Sequence, residues 1–262
     1  MSQKNIIPVR PKKRLGQHFL KDENIARNIA DALQVENIRQ VLEIGAGTGV
    51  LTRYLFEKQH IHLTAIEIDL NNVRLLQQKF PQHKGQILHQ DALKYPLASQ
   101  TGEALAVIGN FPYNISSQLF FRILEYRNDV QEVVCMIQKE VAQRIAAPPG
   151  SKTYGILSVL LQAYYRIEYL FTVSPNVFYP KPKVYSAVIR LKRNDVEKLA
   201  CDETLFFRVV KTCFNQRRKI IRNSIRSIVS VTGKDHDLLQ KRPEQLGVDQ
   251  FIELTGWVQE QD

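Results

Sequence analysis

The sequence predicts an α/β protein: an open, mostly parallel sheet with helices on both faces, followed by a small all-helical C-terminal domain. Three observations carry that expectation. Short apolar runs alternate with stretches at helical spacing until about Lys192, the pattern of repeated strand–helix units. The run Val41-Leu-Glu-Ile-Gly-Ala-Gly-Thr-Gly-Val-Leu-Thr52 passes from apolar residues through Gly45, Gly47 and Gly49 into a helical pattern, which reads as buried strand, tight turn, helix. Beyond Lys192 only helical spacing remains, with breaks at Thr232-Gly233 and Pro243.

Taken in order, residues 1–14 have no periodicity and read as a basic flexible arm. Asp22 is a cap candidate for a helix running to Leu33. Val41 to Ile44 is the first strand and Leu63 to Ile68 the second. Asn71 to Phe80 is a helix closed by Pro81, with Asp69 as its candidate cap. Gln86 to Asp91 and Leu105 to Gly109 are the third and fourth strands, the latter running into Asn110-Phe-Pro-Tyr113. A helix from Ser116 to Tyr126, a strand from Glu132 to Ile137 and a helix from Lys139 to Ala147 follow, the last stopped by Pro148-Pro-Gly150. Tyr164 to Val173 and Ser186 to Leu191 have β-rich composition. The expected division is therefore 1–14, 15–192 and 193–262.

The net charge of +10 is patchy. Residues 1–21 hold six basic side chains and no acid, and residues 208–226 hold seven and no acid. Those thirteen exceed the whole excess, so the remainder is net negative. Patches of one sign suit a phosphate backbone. Lys12, Lys13 and Arg14 represent the first patch and Arg217, Arg218, Lys219 and Arg222 the second. The second sits in Phe214 to Ile225, which reads as a helix with Phe214, Ile220, Ile221 and Ile225 packed on one side. Cys135, Cys201 and Cys213 are odd in number and form no C-x-x-C pair, which argues for a reducing compartment and against a disulfide framework or a zinc site. No apolar stretch approaches membrane-spanning length and no secretory signal opens the chain, so a soluble, cytoplasmic protein is expected, with no membrane partner.

In open α/β sheets the ligand lies at the carboxyl ends of the strands. Gly45, Glu67, Asp91 and Asn110 all fall at such ends. The third glycine comes one residue too early for the dinucleotide fingerprint, since Val50 stands where that pattern needs glycine. An acid at Glu67 can accept hydrogen bonds from both ribose hydroxyls of a nucleoside. The pair favours S-adenosylmethionine over NAD. Asp91 reads either as an acceptor for the cofactor's adenine amine or as a turn residue. Asn110-Phe-Pro-Tyr113 suits an exocyclic amine: the Asn110 side-chain oxygen and a carbonyl such as that of Phe111 can accept its N–H bonds, Pro112 stiffens the turn, and Tyr113 offers a stacking face. His18 alone reads as a loop histidine, and Phe178 as core or as a second stacking ring. The histidines form no ligand cluster, and no metal is expected.

Five motifs in this order are together specific: Lys12-Lys-Arg-Leu-Gly-Gln-His-Phe-Leu20, Glu43 to Thr52, Asn110 to Ser116, Pro180-Lys-Pro-Lys-Val-Tyr-Ser-Ala187 and Phe214-Asn-Gln-Arg-Arg-Lys219. From about residue 11 onward the chain closely resembles the bacterial small-subunit rRNA adenine N6,N6-dimethyltransferases. The resemblance implies a Rossmann-like class I methyltransferase sheet. It also implies S-adenosylmethionine as donor and dimethylation of two adjacent adenosines in a hairpin near the 3′ end of 16S rRNA, in the immature small ribosomal subunit. Cofactor contacts then fall on His18, Leu20, Gly45, Gly47, Glu67, Asp91 and Asn110, and the target pocket on Asn110, Phe111, Pro112, Tyr113 and Phe178. His18 stands where the family often has Asn, Ala46 where it often has Pro, and Phe111 where it often has Leu. The chain is expected to act as a monomer. Two alternatives are a 23S rRNA adenine methyltransferase of the macrolide-resistance type and a non-catalytic ribosome-assembly factor. Residues 138–155 favour the small-subunit group, and the presence of Glu67, Asp91 and Asn110 together favours catalysis.

Overall fold

The computed structural model describes residues 10–34, 38–98, 103–231 and 235–261. Residues 1–9 of the expected arm and the expected break at Thr232-Gly233 lie outside them. The chain divides into two compact units, one built from residues up to 142 with 168–193, the other from 143–167 with 194–262. The sequence places the division at residue 192/193 instead. The difference is the segment 143–167, which groups with the C-terminal helices.

The first unit opens with β1 (Phe19–Leu20), α1 (Glu23–Asp31), β2 (Gln40–Ile44), α2 (Val50–Phe56), β3 (His62–Glu67) and α3 (Leu70–Lys79). It continues with β4 (Ile87–His89), β5 (Leu105–Asn110), α4 (Ser116–Glu125) and β6 (Val130–Gln138). After α5 (Lys139–Ile145) and α6 (Ile156–Gln162) come β7 (Tyr165–Val173), β8 (Phe178–Tyr179) and β9 (Ser186–Arg193). The seven-stranded sheet has the order β4-β3-β2-β5-β6-β9-β7. The five strands from β4 to β6 run parallel, and β9 pairs antiparallel with β6, so the sheet is mixed rather than uniformly parallel. Helices cover both faces.

The strands form where expected because their residues are buried on both sides: Leu42, Ile44, Ala65, Val107, Ile108 and Val134 are all 2% exposed or less. Each large one contributes about 1.5–3 kcal/mol by leaving water. On one face Val41, Ala106 and Ile108 pack with Ile29 of α1 and Leu55 of α2. Helix starts follow capping chemistry. Asp22 Oδ1 accepts from Ile25 N–H at 3.0 Å, and Asp69 Oδ1 accepts from Asn71 N–H at 3.0 Å.

A two-stranded pair, β1 with β8, matches Phe19 to Tyr179 and Leu20 to Phe178. Two-residue strands carry no period, so neither is visible in the sequence. Helix α6 is hidden in the same way, because its run Ile156-Leu-Ser-Val-Leu-Leu-Gln162 is too uniformly apolar to show a helical stripe.

The second unit holds α6 with α7 (Glu203–Asn215), α8 (Ile221–Ser224) and α9 (Val248–Gln259). The stretch from Phe214 to Ile225 is not the single helix expected. Helix α7 ends at Asn215, Lys219 N–H donates to Gln216 carbonyl at 2.8 Å in the intervening turn, and α8 restarts at Ile221. Across the break Phe214 and Ile221 are both buried, at 9% and 0% exposure.

Candidate functional site

The site is built at the carboxyl ends of β2, β3 and β5. Leaving β2, the chain turns through Gly45, Gly47 and Gly49 with φ of 72°, 56° and 84°, a region that side chains with a Cβ rarely enter. Gly45 N–H donates to Ile66 carbonyl at 2.9 Å, which ties the loop to β3. A second glycine requirement lies in β5. A Cβ on Gly109 of β5 would lie 2.3 Å from the Ile44 carbonyl oxygen, so only glycine lets these strands approach so closely just before Asn110. Its signal was there to find: a lone glycine closing an apolar run immediately before a polar motif.

A cleft opens here, lined by Gly45, Gly47, Glu67, Asp91, Asn110, Phe111, Pro112, Tyr113 and the segment Leu15–Phe19. Of the expected site residues, Leu20 lines a smaller recess beside it with Gly45, Gly47, Asn110 and Glu43. Phe178 is set apart. Its ring is 2% exposed within the core around Leu20 and Val173, so no face is open to a base.

Glu67 is held at both oxygens. Oε2 accepts from Gly47 N–H and Oε1 from Asp69 N–H, each at 2.8 Å. Burial raises its pKa, and the two backbone donors oppose the rise. Each carboxylate oxygen has a second lone pair, so a fixed acceptor remains for a ligand hydroxyl. Asp91 Oδ1 accepts from Leu93 N–H at 2.9 Å in a turn, and the residue lines the cleft.

Asn110 is oriented by the N-terminal segment. Its Nδ2 donates to the His18 carbonyl at 2.9 Å, leaving Oδ1 as the acceptor of that amide. His18 is itself pinned. Its Nδ1 lies 2.7 Å from the Pro180 carbonyl, which can only accept, so Nδ1 carries the proton. The imidazole stacks on Tyr113 at 5.4 Å between centroids, and Tyr113 Oη lies 2.5 Å from Ser186 Oγ. Phe111 donates its backbone N–H to Met136 carbonyl at 3.0 Å while its ring is buried, so this residue meets the cleft mainly through its main chain.

Glu43 went unremarked as a site residue. It is 1% exposed, and burial, with Glu67 nearby, pushes its pKa up to about 8. Its Oε2 has no hydrogen-bond partner.

The basic residues divide by what holds them. Lys12 Nζ lies 2.8 Å from the buried Asp69 carboxylate, whereas Lys13 and Arg14 are exposed in the turn that follows. In the second unit Arg222 pairs with Asp235 at 2.8 Å, and Arg217 donates to the Ser151 carbonyl and lies 3.9 Å from Glu244. Arg218 and Lys219 are exposed.

The family model described as ribosomal RNA adenine dimethylase matches residues 9–254. The chain belongs to the ribosomal RNA adenine dimethylase family. It is 55% identical over 249 residues to a protein of Parabacteroides distasonis named ribosomal RNA small subunit methyltransferase A, covering 94% of this chain and 93% of that one. A protein of the same name from Cytophaga hutchinsonii is 52% identical over 95% of this chain and 97% of its own. Among solved structures, a dimethyladenosine transferase from Plasmodium falciparum superposes with a TM-score of 0.76 at 23% identity, over 90% of this chain and 96% of that one, which shows the shared fold. The 23S rRNA methyltransferase ErmE superposes with a TM-score of 0.68 at 25% identity, over 90% of this chain and 98% of its own. The fold is that of the class I methyltransferases. Dimethylase-family membership and this fold imply use of S-adenosylmethionine, and the site suits it. The glycine turn keeps Cβ atoms out of the cleft, and Glu67 offers a fixed buried acceptor at the end of β3.

Proposed function

We propose that this chain transfers methyl groups from S-adenosylmethionine to the N6 amines of two adjacent adenosines in a hairpin near the 3′ end of 16S rRNA. On this reading it acts as a cytoplasmic monomer on the immature small subunit. The observation that carries the reading is the Asn110 amide, turned by the His18 carbonyl so that Oδ1 is its acceptor at the cleft, with Tyr113 beside it. The relatives at 50–55% identity bear the small-subunit name, which supports 16S over 23S rRNA.

Glu67 holds the ribose hydroxyls in this reading and Asp91 the adenine amine. His18, Leu20, Gly45, Gly47 and Asn110 complete the cofactor's surroundings. When bound, S-adenosylmethionine supplies a methyl group on a sulfonium centre. The protein's work is positioning. An adenine amine is a poor nucleophile because its lone pair is delocalised into the ring. Before the first transfer, Asn110 Oδ1 and the Phe111 carbonyl accept its two N–H bonds and leave the lone pair facing into the cleft; the monomethylated amine keeps one N–H for the second. Tyr113 stacks on a base that has left its helix, while Pro112 keeps the turn stiff. The amine sheds its proton after attack, so no strong base is needed.

Native protein and Asn110→Ala are compared with labelled S-adenosylmethionine and immature small subunits. The expected outcome is label in 16S rRNA with the native chain and at least a hundredfold less with the variant, which should still bind subunits. Equal labelling by both removes Asn110 from the reaction.

A further inference from the structure

We propose that the exposed segment from Tyr179 to Tyr185 is a docking surface for the single-stranded nucleotides flanking the target base. The two tyrosine rings serve as stacking faces, and Lys181 and Lys183 meet the phosphates. The inference rests on the reading of the cleft as a site for a nucleobase.

Large aromatic side chains are ordinarily withdrawn from water, so an exposed pair asks for a partner. Tyr179 is 60% exposed and Tyr185 55%, with Val184 at 43% between them. Lys181 and Lys183 are exposed and alternate with Pro180 and Pro182, which limit how far the backbone can flex. From residue 169 to residue 193 the sequence has no acidic side chain. Aromatic rings interleaved with lysines and free of acids match a single strand of nucleic acid, whose bases present π faces and whose backbone is anionic. They do not match an acidic or basic protein helix, which would look for ion pairs of defined register.

The placement is as telling as the composition. Both ends of the segment are fastened to the rim of the cleft. Tyr179 pairs with Phe19, which lines the cleft, and the next residue takes the His18 Nδ1–H on its carbonyl at 2.7 Å. At the other end Lys139 N–H, just past β6, donates to the Tyr185 carbonyl at 2.9 Å, and the following residue, Ser186, meets Tyr113 Oη. One face of the Tyr185 ring is occupied by the Lys139 ammonium, 5.8 Å from the centroid. A base stacked on its other face would lie against a ring already polarised and held in place. The segment is thus a preorganised border beside Asn110 and Tyr113, where nucleotides on either side of an extruded base must run.

The test uses the full-length chain and a short 16S-type hairpin RNA carrying 2-aminopurine next to the target adenosine. Tyr179→Ala, Tyr185→Ala and the two corresponding Phe variants are compared with the native protein. Native protein should quench or shift the probe's emission on binding. Each Ala variant should weaken RNA binding by about tenfold and reduce the emission change, while the Phe variants, which keep the ring, behave as native. Binding of S-adenosylmethionine alone, measured by calorimetry, should be unchanged in all four, which separates a lost surface from a misfolded one. Native-like RNA binding and native-like emission with both Ala variants overturn the inference. The reading of the cleft has its own readout, methyl transfer to adenine by the native protein. If that fails while the ring-dependent emission change persists, the docking surface stands and the enzymatic reading falls.

Discussion

Lys12 Nζ lies 2.8 Å from Asp69 Oδ1, joining the N-terminal segment to the residue whose backbone N–H holds Glu67 Oε1. The same lysine's N–H donates to Gln17 Oε1 at 2.9 Å, next to His18. A residue expected to meet RNA is thereby tied to the Glu67 side of the cleft. Lys12→Ala should raise the dissociation constant for S-adenosylmethionine by roughly five- to tenfold, since Asp69 would keep a buried carboxylate without its cation. Calorimetry on the RNA-free protein checks this. Unchanged cofactor affinity together with weaker subunit binding would return Lys12 to the RNA contacts.

Glu43 makes stability depend on pH in a definite direction. Burial raises its pKa from 4.5 in the unfolded chain to about 8 in the fold, so the folded state holds a proton that the unfolded state has released over that interval. Its contribution is fully present below pH 4.5 and is lost as pH rises toward 8. Glu43→Gln keeps the shape and removes the titration. Denaturant unfolding should show the variant close to native at pH 5 and more stable at pH 8, by on the order of 3 kcal/mol. A pH profile identical to that of the native protein would contradict the assignment.

The basic residues around α8 should respond differently to substitution. Arg218→Ala with Lys219→Ala should leave the melting temperature within a degree or two. It should also make log K for RNA less steep against log salt by roughly 1.5–2 units, about the value for two lost phosphate contacts. Arg222→Ala, which gives up Asp235 and the Val231 carbonyl, should lower the melting temperature with a smaller effect on the salt slope. Salt titration of subunit binding and thermal unfolding separate the two. A steep salt slope surviving in the double variant would take the RNA path away from this turn.

What was legible in the sequence follows from what is local. Strand ends and the residues on them could be read because the apolar runs stop at Ile44, Glu67 and Asn110, and the sheet then aligns those ends by its own geometry. The caps Asp22 and Asp69 were equally local. What escaped depends on partners distant in the chain. Arg222 and Arg217 read as free cations because Asp235 and Glu244 lie outside the acid-free stretch. Phe178 could be core or stacking ring until its pairing with Leu20 settled its burial. The segment 143–167 was assigned with its sequence neighbours, although it groups with the C-terminal helices. The close approach of Gly109 to Ile44 is a property of two strands and cannot be seen in either one.

The central claim is tested most directly by locating the methyl groups. Immature small subunits would be incubated with the native protein and labelled S-adenosylmethionine, and the rRNA digested and mapped. The account predicts N6,N6-dimethyladenosine at two adjacent positions near the 3′ end of 16S rRNA and none in 23S rRNA offered alongside. Label in 23S rRNA, or subunits bound with no methyl group transferred, would contradict it.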